Sequence, residues 1–112
     1  MIVKNQTVIT VYSYQDEVVK LDEYDFTTST LRLFSSDKEE YPGVFAYTVG
    51  GGMDHYSYVS LKDNRLHLEE LWMLDYSGVL GEPGAITETS ENKGLISESK
   101  ALYDNNRDIL FQ

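Results

Sequence analysis

The chain contains no cysteine, only two prolines and only nine basic residues. The absence of cysteine excludes a disulfide scaffold, a thiolate metal site and a cysteine nucleophile. No stretch approaches the roughly 20 apolar residues that a membrane helix needs. Polar residues at positions 4–7 interrupt the apolar N-terminus, so a signal-peptide core is not present. These absences predict a cytoplasmic protein that does not act on a membrane.

The charge is strongly one-sided, with 19 Asp and Glu against 9 Lys and Arg, for a net charge of −10. Such a field repels nucleic acid and anionic membranes and attracts basic surfaces. Because 41% of the residues are hydrophobic and 12% are aromatic, the acidity does not indicate disorder. We therefore predict one folded domain over residues 1–112 that binds a basic protein and does not bind nucleic acid directly.

Alternating or β-branched runs predict a mostly β protein, with an antiparallel sheet of about five to seven strands. Such runs lie at 8–14, 18–21, 26–34 and 44–49. In the last run, Phe45, Tyr47 and Val49 share one face while Val44 and Ala46 share the other. Both faces are apolar, which predicts a central strand. A barrel, a half-barrel and a small sandwich all remain open.

Residues 56–76 predict a hairpin whose turn lies at 62–64. Alternation along its second strand puts several large apolar residues on one face, and Glu70 interrupts that face. Residues 66–74 also fit a short amphipathic helix, but the alternation is longer than the helical stripe. The apolar residues on the shared face are Leu66, Leu68, Trp72, Leu74 and Tyr76.

The remaining segments are less regular. The triple glycine at 50–52 predicts a flexible loop, and 77–94 predicts a long surface loop. Residues 95–103 fit either a strand or a short helix, and a helix near 95–107 would make the fold α+β. The apolar tail at 109–111 is expected to dock on a sheet edge. An unpaired edge would also permit a homodimer by sheet extension.

Motifs for catalysis, metals and cofactors are weak, so we predict a binding protein with no catalytic residue, metal or cofactor. His55 and His67 lie on opposite strands of the hairpin, at similar distances from a turn centred near residue 61. A two-histidine, one-carboxylate metal site would need them close together, but two exposed strand histidines are the favoured interpretation. Ser97 and Lys100 match a Ser-x-x-Lys pattern without its supporting elements.

The tyrosines and acids carry the stronger signal. Nine residues are tyrosine, a side chain enriched at protein interfaces. Carboxylates around aromatic anchors suit a basic protein surface, although the same acids would also serve solubility alone. The predicted partner-binding residues are Asp16, Glu17, Asp22, Glu23, Tyr24, Asp25, Glu39, Glu40 and Tyr41.

Together these features predict a small acidic inhibitor or immunity-type protein that neutralises a basic partner, such as a nuclease toxin or a nucleic-acid-processing enzyme. One alternative is a small-ligand or carbohydrate-binding β-barrel, which a concave tyrosine-lined pocket would favour. Another is an enzyme that uses Asp or Glu together with Tyr or His.

Overall fold

The computed structural model describes residues 2–14, 16–27, 30–50, 53–75 and 86–106. Within these ranges the chain forms eight strands followed by one helix. The elements are β1 (Ile2–Asn5), β2 (Val8–Tyr14), β3 (Val18–Asp25), β4 (Thr30–Ser35), β5 (Val44–Gly50), β6 (Met53–Lys62), β7 (Arg65–Asp75), β8 (Ile86–Glu88) and α1 (Lys93–Asn105).

The described strands form two antiparallel sheets in which sequence neighbours pair. We call β1–β2–β3 the small sheet and β4–β5–β6–β7–β8 the large sheet. The predicted mostly β class with a short C-terminal helix is confirmed, and the described strands do not close into a barrel. The strands that the sequence pattern did not identify are β1 and β8, which are only four and three residues long and show little alternation.

The large sheet is covered on both faces, as the two apolar faces of β5 predicted. Ala46 packs towards the small sheet in a cluster with Ile9 and Leu31. Its neighbour Phe45 points the other way, into a cluster that contains Leu95 of α1. The molecule is therefore a three-layer arrangement of small sheet, large sheet and helix.

A bulge in β7 changes which face of the large sheet its side chains occupy. Tyr56 lies opposite Trp72 while the next residue of β6 lies opposite Glu70, so Leu71 is an extra residue. One extra residue reverses the alternation. The prediction of one shared apolar face was therefore wrong: Leu66 and Leu68 face the small sheet, whereas Trp72 and Leu74 face α1.

The predicted surface loop at 77–94 contains regular structure at its C-terminal end. Its residues 86–88 form β8, and α1 begins at Lys93; residues 77–85 lie outside the described residues. The side chain of Asn92 caps α1 by accepting a 3.1 Å hydrogen bond from the Leu95 N–H. Glu88 of β8 accepts hydrogen bonds from Lys93 and Lys100 of the helix.

Two other predicted segments lie largely outside the described residues. Gly50 is the last residue of β5 and lies opposite Met53, while 51–52 are not described. The apolar tail at 109–111 is not described either. In the described parts of the chain, α1 has 13 residues, and no helix is long and apolar enough to cross a membrane.

Candidate functional site

The outer face of the small sheet, which we define as the face turned away from the large sheet, is the candidate site. Ile9 and Val11 of β2 are fully buried, and Ile9 packs against the large sheet. Alternate residues of β2 and their cross-strand partners therefore point outward. These outward residues are Val3, Asn5, Val8, Thr10, Tyr12, Val18, Lys20, Glu23 and Asp25.

This alternation divides the predicted acidic cluster of β3 between two faces. Glu23 and Asp25 lie on the outer face, opposite Thr10 and Val8. Asp22 lies opposite the buried Val11, so it shares the inner face. The six clustered residues at 16–25 therefore do not form one continuous acidic surface.

Asp22 serves to connect the two sheets. Its carboxylate accepts 2.9 Å hydrogen bonds from the backbone N–H groups of Leu66 and Glu23. These two bonds, first the one from Leu66, lower the pKa of Asp22 below its ordinary value. Asp22 therefore ties the edge strand β3 to the start of β7.

Asp25 has a similar local role at the end of β3. Its Oδ1 accepts hydrogen bonds from the Thr7 hydroxyl at 3.0 Å and from the Thr27 N–H at 2.9 Å. The neighbouring Tyr24 is 45% exposed and packs edge-on against Phe26, with ring centroids 5.0 Å apart. Asp25 thus fixes the chain as it leaves the small sheet.

The other acids of this segment are exposed. Asp16 and Glu17 lie in the bend between β2 and β3, and Glu23 forms a 3.5 Å ion pair with Lys20 at the surface. An exposed pair of this kind contributes little to stability. These three carboxylates are therefore available for an electrostatic contact with another molecule.

Exposed apolar side chains concentrate on the same strand. Val18 is 58% exposed and Val19 is 44% exposed, next to the acidic bend. Among the described residues, four of the six exposed large hydrophobics belong to the small sheet, and three of those four to β3. The four are Val3, Val18, Val19 and Tyr24. The sequence did not indicate this exposure, because valines in a strand usually belong to its core.

The second predicted acidic cluster lies in another layer. Glu39 and Glu40 are exposed in the β4–β5 turn, and this turn is held against α1. Lys38 forms a 2.8 Å ion pair with Glu98 of the helix, and Tyr41 joins the core beneath it. The structure therefore separates Glu39, Glu40 and Tyr41 from the small sheet.

Most of the central tyrosines form core structure. Tyr47 and Tyr56 are each 1% exposed, and the ring of Tyr56 stacks on Trp72 with centroids 5.2 Å apart. Tyr103 of α1 packs edge-on against both of these stacked rings. These residues consequently fill the space between the large sheet and the helix and do not line an open pocket.

The two histidines do not meet. The hairpin turn is at 63–64, so His55 lies opposite Met73 and His67 opposite Ser60. The histidines are thus five residues out of register, about 16 Å along the strands. Among the described residues, no group of three or more His, Asp or Glu side chains is arranged to hold a metal ion.

No protein-family model matches this chain, and no curated protein or solved structure is significantly similar to it. Function therefore has to be inferred from the surface itself. The feature that distinguishes this surface is the coincidence of exposed valines and exposed carboxylates on β3, beside the outer face of the small sheet.

Proposed function

We propose that this chain is a small acidic inhibitor or immunity-type protein that binds a basic protein partner through β3 and the outer face of the small sheet. The observation that carries the proposal is the position of Val18 and Val19, 58% and 44% exposed, beside the carboxylates of the β2–β3 bend. When a partner covers apolar side chains that are exposed at a strand edge, their removal from water favours formation of the complex.

The acids would give this contact its selectivity. Asp16 and Glu17 carry negative charge next to the valines, Glu23 adds a carboxylate farther along β3, and the whole chain carries −10. Charge of one sign speeds association with a basic surface and disfavours acidic competitors. A nuclease toxin or a nucleic-acid-processing enzyme has such a basic surface, because it binds phosphates.

The described residues do not support the alternative of a tyrosine-lined, ligand-binding barrel. The described strands do not close, and Tyr47 and Tyr56 are buried in the core. Sheet extension into a homodimer through the β3 edge is a weaker proposal, because two copies that each carry −10 repel each other.

The test is affinity capture with matched variants. The disrupting variant combines Val18→Lys with Glu23→Lys, which removes an exposed apolar side chain and reverses an acid on β3. The control combines Leu61→Lys with Glu91→Lys, which makes the same two changes at exposed positions elsewhere. Each immobilised protein is exposed to extract from the source cell, and the captured proteins are identified by mass spectrometry.

We expect the wild type and the control to retain the same basic protein and the disrupting variant to lose it. The purified pair is then titrated calorimetrically, and we expect at least tenfold weaker binding as salt rises from 50 to 300 mM, because added ions screen the charges. Equal capture by both variants, or an affinity that salt leaves unchanged, contradicts the proposal. A chain that elutes as a dimer but captures no basic protein would favour sheet extension instead.

A further inference from the structure

Two stretches of open strand edge in the large sheet are each occupied by a charged side chain from the small sheet. On one side, the Nζ of Lys4 in β1 donates a 3.1 Å hydrogen bond to the Leu31 carbonyl of the edge strand β4. On the other side, Asp22 of β3 accepts a 2.9 Å hydrogen bond from the Leu66 N–H, where β7 has not yet reached its pairing with β8. Charged side chains at strand edges discourage pairing with another chain.

The start of β3 has a different character from these protected edges. With eight residues, β3 is longer than the other edge strands β4, β1 and β8, which have six, four and three. Among the described residues, β3 pairs with β2 alone. Asp22 also accepts a hydrogen bond from the Glu23 N–H, so it covers the middle of this edge. Residues 18–20 at its start are all exposed.

The register of the small sheet shows which backbone groups of this segment point away from β2. A two-residue turn at 6–7 joins β1 to β2, so even-numbered residues of β2 direct their backbone groups to the β1 side and odd-numbered residues to β3. The 2.9 Å hydrogen bond from the Phe26 N–H to the Thr7 carbonyl agrees with this assignment. Val18 and Lys20 lie opposite even-numbered residues, so their N–H and C=O groups point to the free edge.

We propose that the partner protein adds an extended segment to this edge, as a fourth strand of the small sheet beside residues 18–20. This mode of contact rests on the protein-binding function proposed above and specifies how that surface is used. An added strand bonds to the backbone of Val18 and Lys20, and its side chains also cover Val18 and Val19, which are 58% and 44% exposed.

The charges around the segment specify the chemistry of the added strand. Asp16 and Glu17 precede residues 18–20, and Glu23 follows them. A segment that suits this edge therefore has β-branched residues at its centre and Lys or Arg at both ends. A second copy of this chain is a poorer occupant, because its own β3 would bring the same carboxylates to the contact.

The probe is the peptide acetyl-Arg-Arg-Val-Thr-Val-Arg-Arg-amide, whose palindromic sequence suits pairing in either direction. Its control carries N-methyl groups on the three central residues, which removes their N–H donors and keeps every side chain and charge. Each peptide is titrated into the ¹⁵N-labelled chain and followed by NMR. We expect saturable binding of the probe and at least tenfold weaker binding of the control, because a purely electrostatic contact would not distinguish them.

Amide hydrogen exchange then identifies the edge. With the probe bound, exchange at Val18 and Lys20 should slow at least tenfold, and exchange at Val19 should change less than threefold because its N–H faces β2. Val18→Pro removes one outward N–H at the first residue of a strand, where proline is tolerated, and should weaken probe binding at least tenfold. Val18→Thr, which keeps that N–H and the branched shape, should weaken it less than threefold.

Equal binding of the two peptides, or no binding of the probe, would overturn the proposal. Protection that maps away from β3 would also overturn it, as would protection at Val18 and Lys20 that appears in the chain alone as its concentration rises, which would assign the edge to a second copy. Should Val18→Pro fail to fold by circular dichroism, the two peptides still decide. Failure of the proposed function is distinguishable, since capture from extract tests whether a basic partner exists and the peptides test how the edge binds.

Discussion

The indole N–H of Trp72 donates a 2.8 Å hydrogen bond to the hydroxyl of Ser99, which connects the large sheet to α1 inside the core. Ser99 in turn donates a 2.8 Å hydrogen bond to the Ile96 carbonyl. Trp72 is 2% exposed and Ser99 is fully buried. Because other contacts in this layer are largely apolar, this polar connection helps to specify how the helix is rotated on the sheet.

Replacement of Ser99 by Ala should therefore destabilise the protein. It leaves the Trp72 N–H buried without an acceptor, which costs about 1–3 kcal/mol in the free energy of unfolding. Ser97→Ala, at an exposed position of the same helix, should change that free energy by less than about 0.5 kcal/mol. Urea unfolding followed by tryptophan fluorescence measures both. Equal midpoints for the two variants would show that the hydrogen bond contributes nothing.

Two buried tyrosine hydroxyls should respond in opposite ways to replacement by Phe. The Tyr47 hydroxyl donates to the buried carboxylate of Asp54, so Tyr47→Phe should cost about 1–3 kcal/mol. The Tyr56 hydroxyl is buried and has no hydrogen-bond partner among the described residues, so Tyr56→Phe should be neutral or stabilising by up to about 1 kcal/mol. Urea unfolding of the pair measures the difference.

Tyr56 should also resist ionisation. Burial, with a smaller contribution from Tyr103, raises the pKa of Tyr56 above its ordinary value. In an alkaline absorbance titration, the hydroxyl of Tyr56 should ionise only when the protein unfolds. Tyr56→Phe should therefore leave the pre-unfolding part of the titration curve unchanged. Loss of one ionising tyrosine from that part would contradict the burial.

Two glycines should differ in their tolerance of a methyl group. A Cβ at Gly43 would lie 2.2 Å from the Val59 carbonyl oxygen and 2.9 Å from the Tyr58 ring. The carbonyl belongs to the backbone of a paired strand, so it cannot move away easily. Gly43→Ala should therefore cost about 3 kcal/mol or more. A Cβ at Gly94 meets the hydroxyl of Tyr41 at 2.4 Å, the end of a side chain that can move. Gly94→Ala should cost less, as denaturant midpoints will show.

The pKa of Glu88 should lie well below the ordinary value of a glutamate. Hydrogen bonds from Lys100 and Lys93, together with their charges, lower its pKa from 4.5 to about 2. Because the folded pKa is depressed, this contribution to stability is present above about pH 4.5 and is lost as the pH falls through about 2. Carboxyl NMR shifts measure the midpoint directly.

Lysine variants identify the cause of that displacement. Lys100→Gln should raise the pKa of Glu88 towards its ordinary value, and Lys62→Gln should leave it unchanged because that residue lies at the β6–β7 turn. A midpoint near 4.5 in the wild type would mean that β8 is not held to α1 by these ion pairs.

Strand positions were largely predictable because alternation and turn residues are local signals. The β6–β7 hairpin follows from alternation and from the Asp63–Asn64 turn, whose backbone angles φ are 54° and 65°. The central position of β5 follows from the apolar residues on both of its faces. The two short strands were not predictable, since β8 has only three residues and depends on pairing with β7. Helix α1 remained ambiguous because its segment also fits a strand.

The sequence could not predict where the acids would point. Asp22 and Glu23 are neighbours in the chain, yet one bonds to the backbone of β7 and the other faces solvent. Position 22 could be assigned to the inner face only once the register of β3 against β2 was known. The exposure of Val18 and Val19 likewise depends on β3 being an edge strand.

By itself the sequence determined the strand class, the acidity and the absence of cysteine chemistry, because these follow from residue type and local periodicity. Only the tertiary structure decided which faces are covered, because alternation defines two faces without assigning either to the core. The bulge at Leu71 reversed that assignment midway along β7. Packing of the two sheets likewise brought Asp22 of β3 to the Leu66 N–H of β7, a contact that no local pattern encodes.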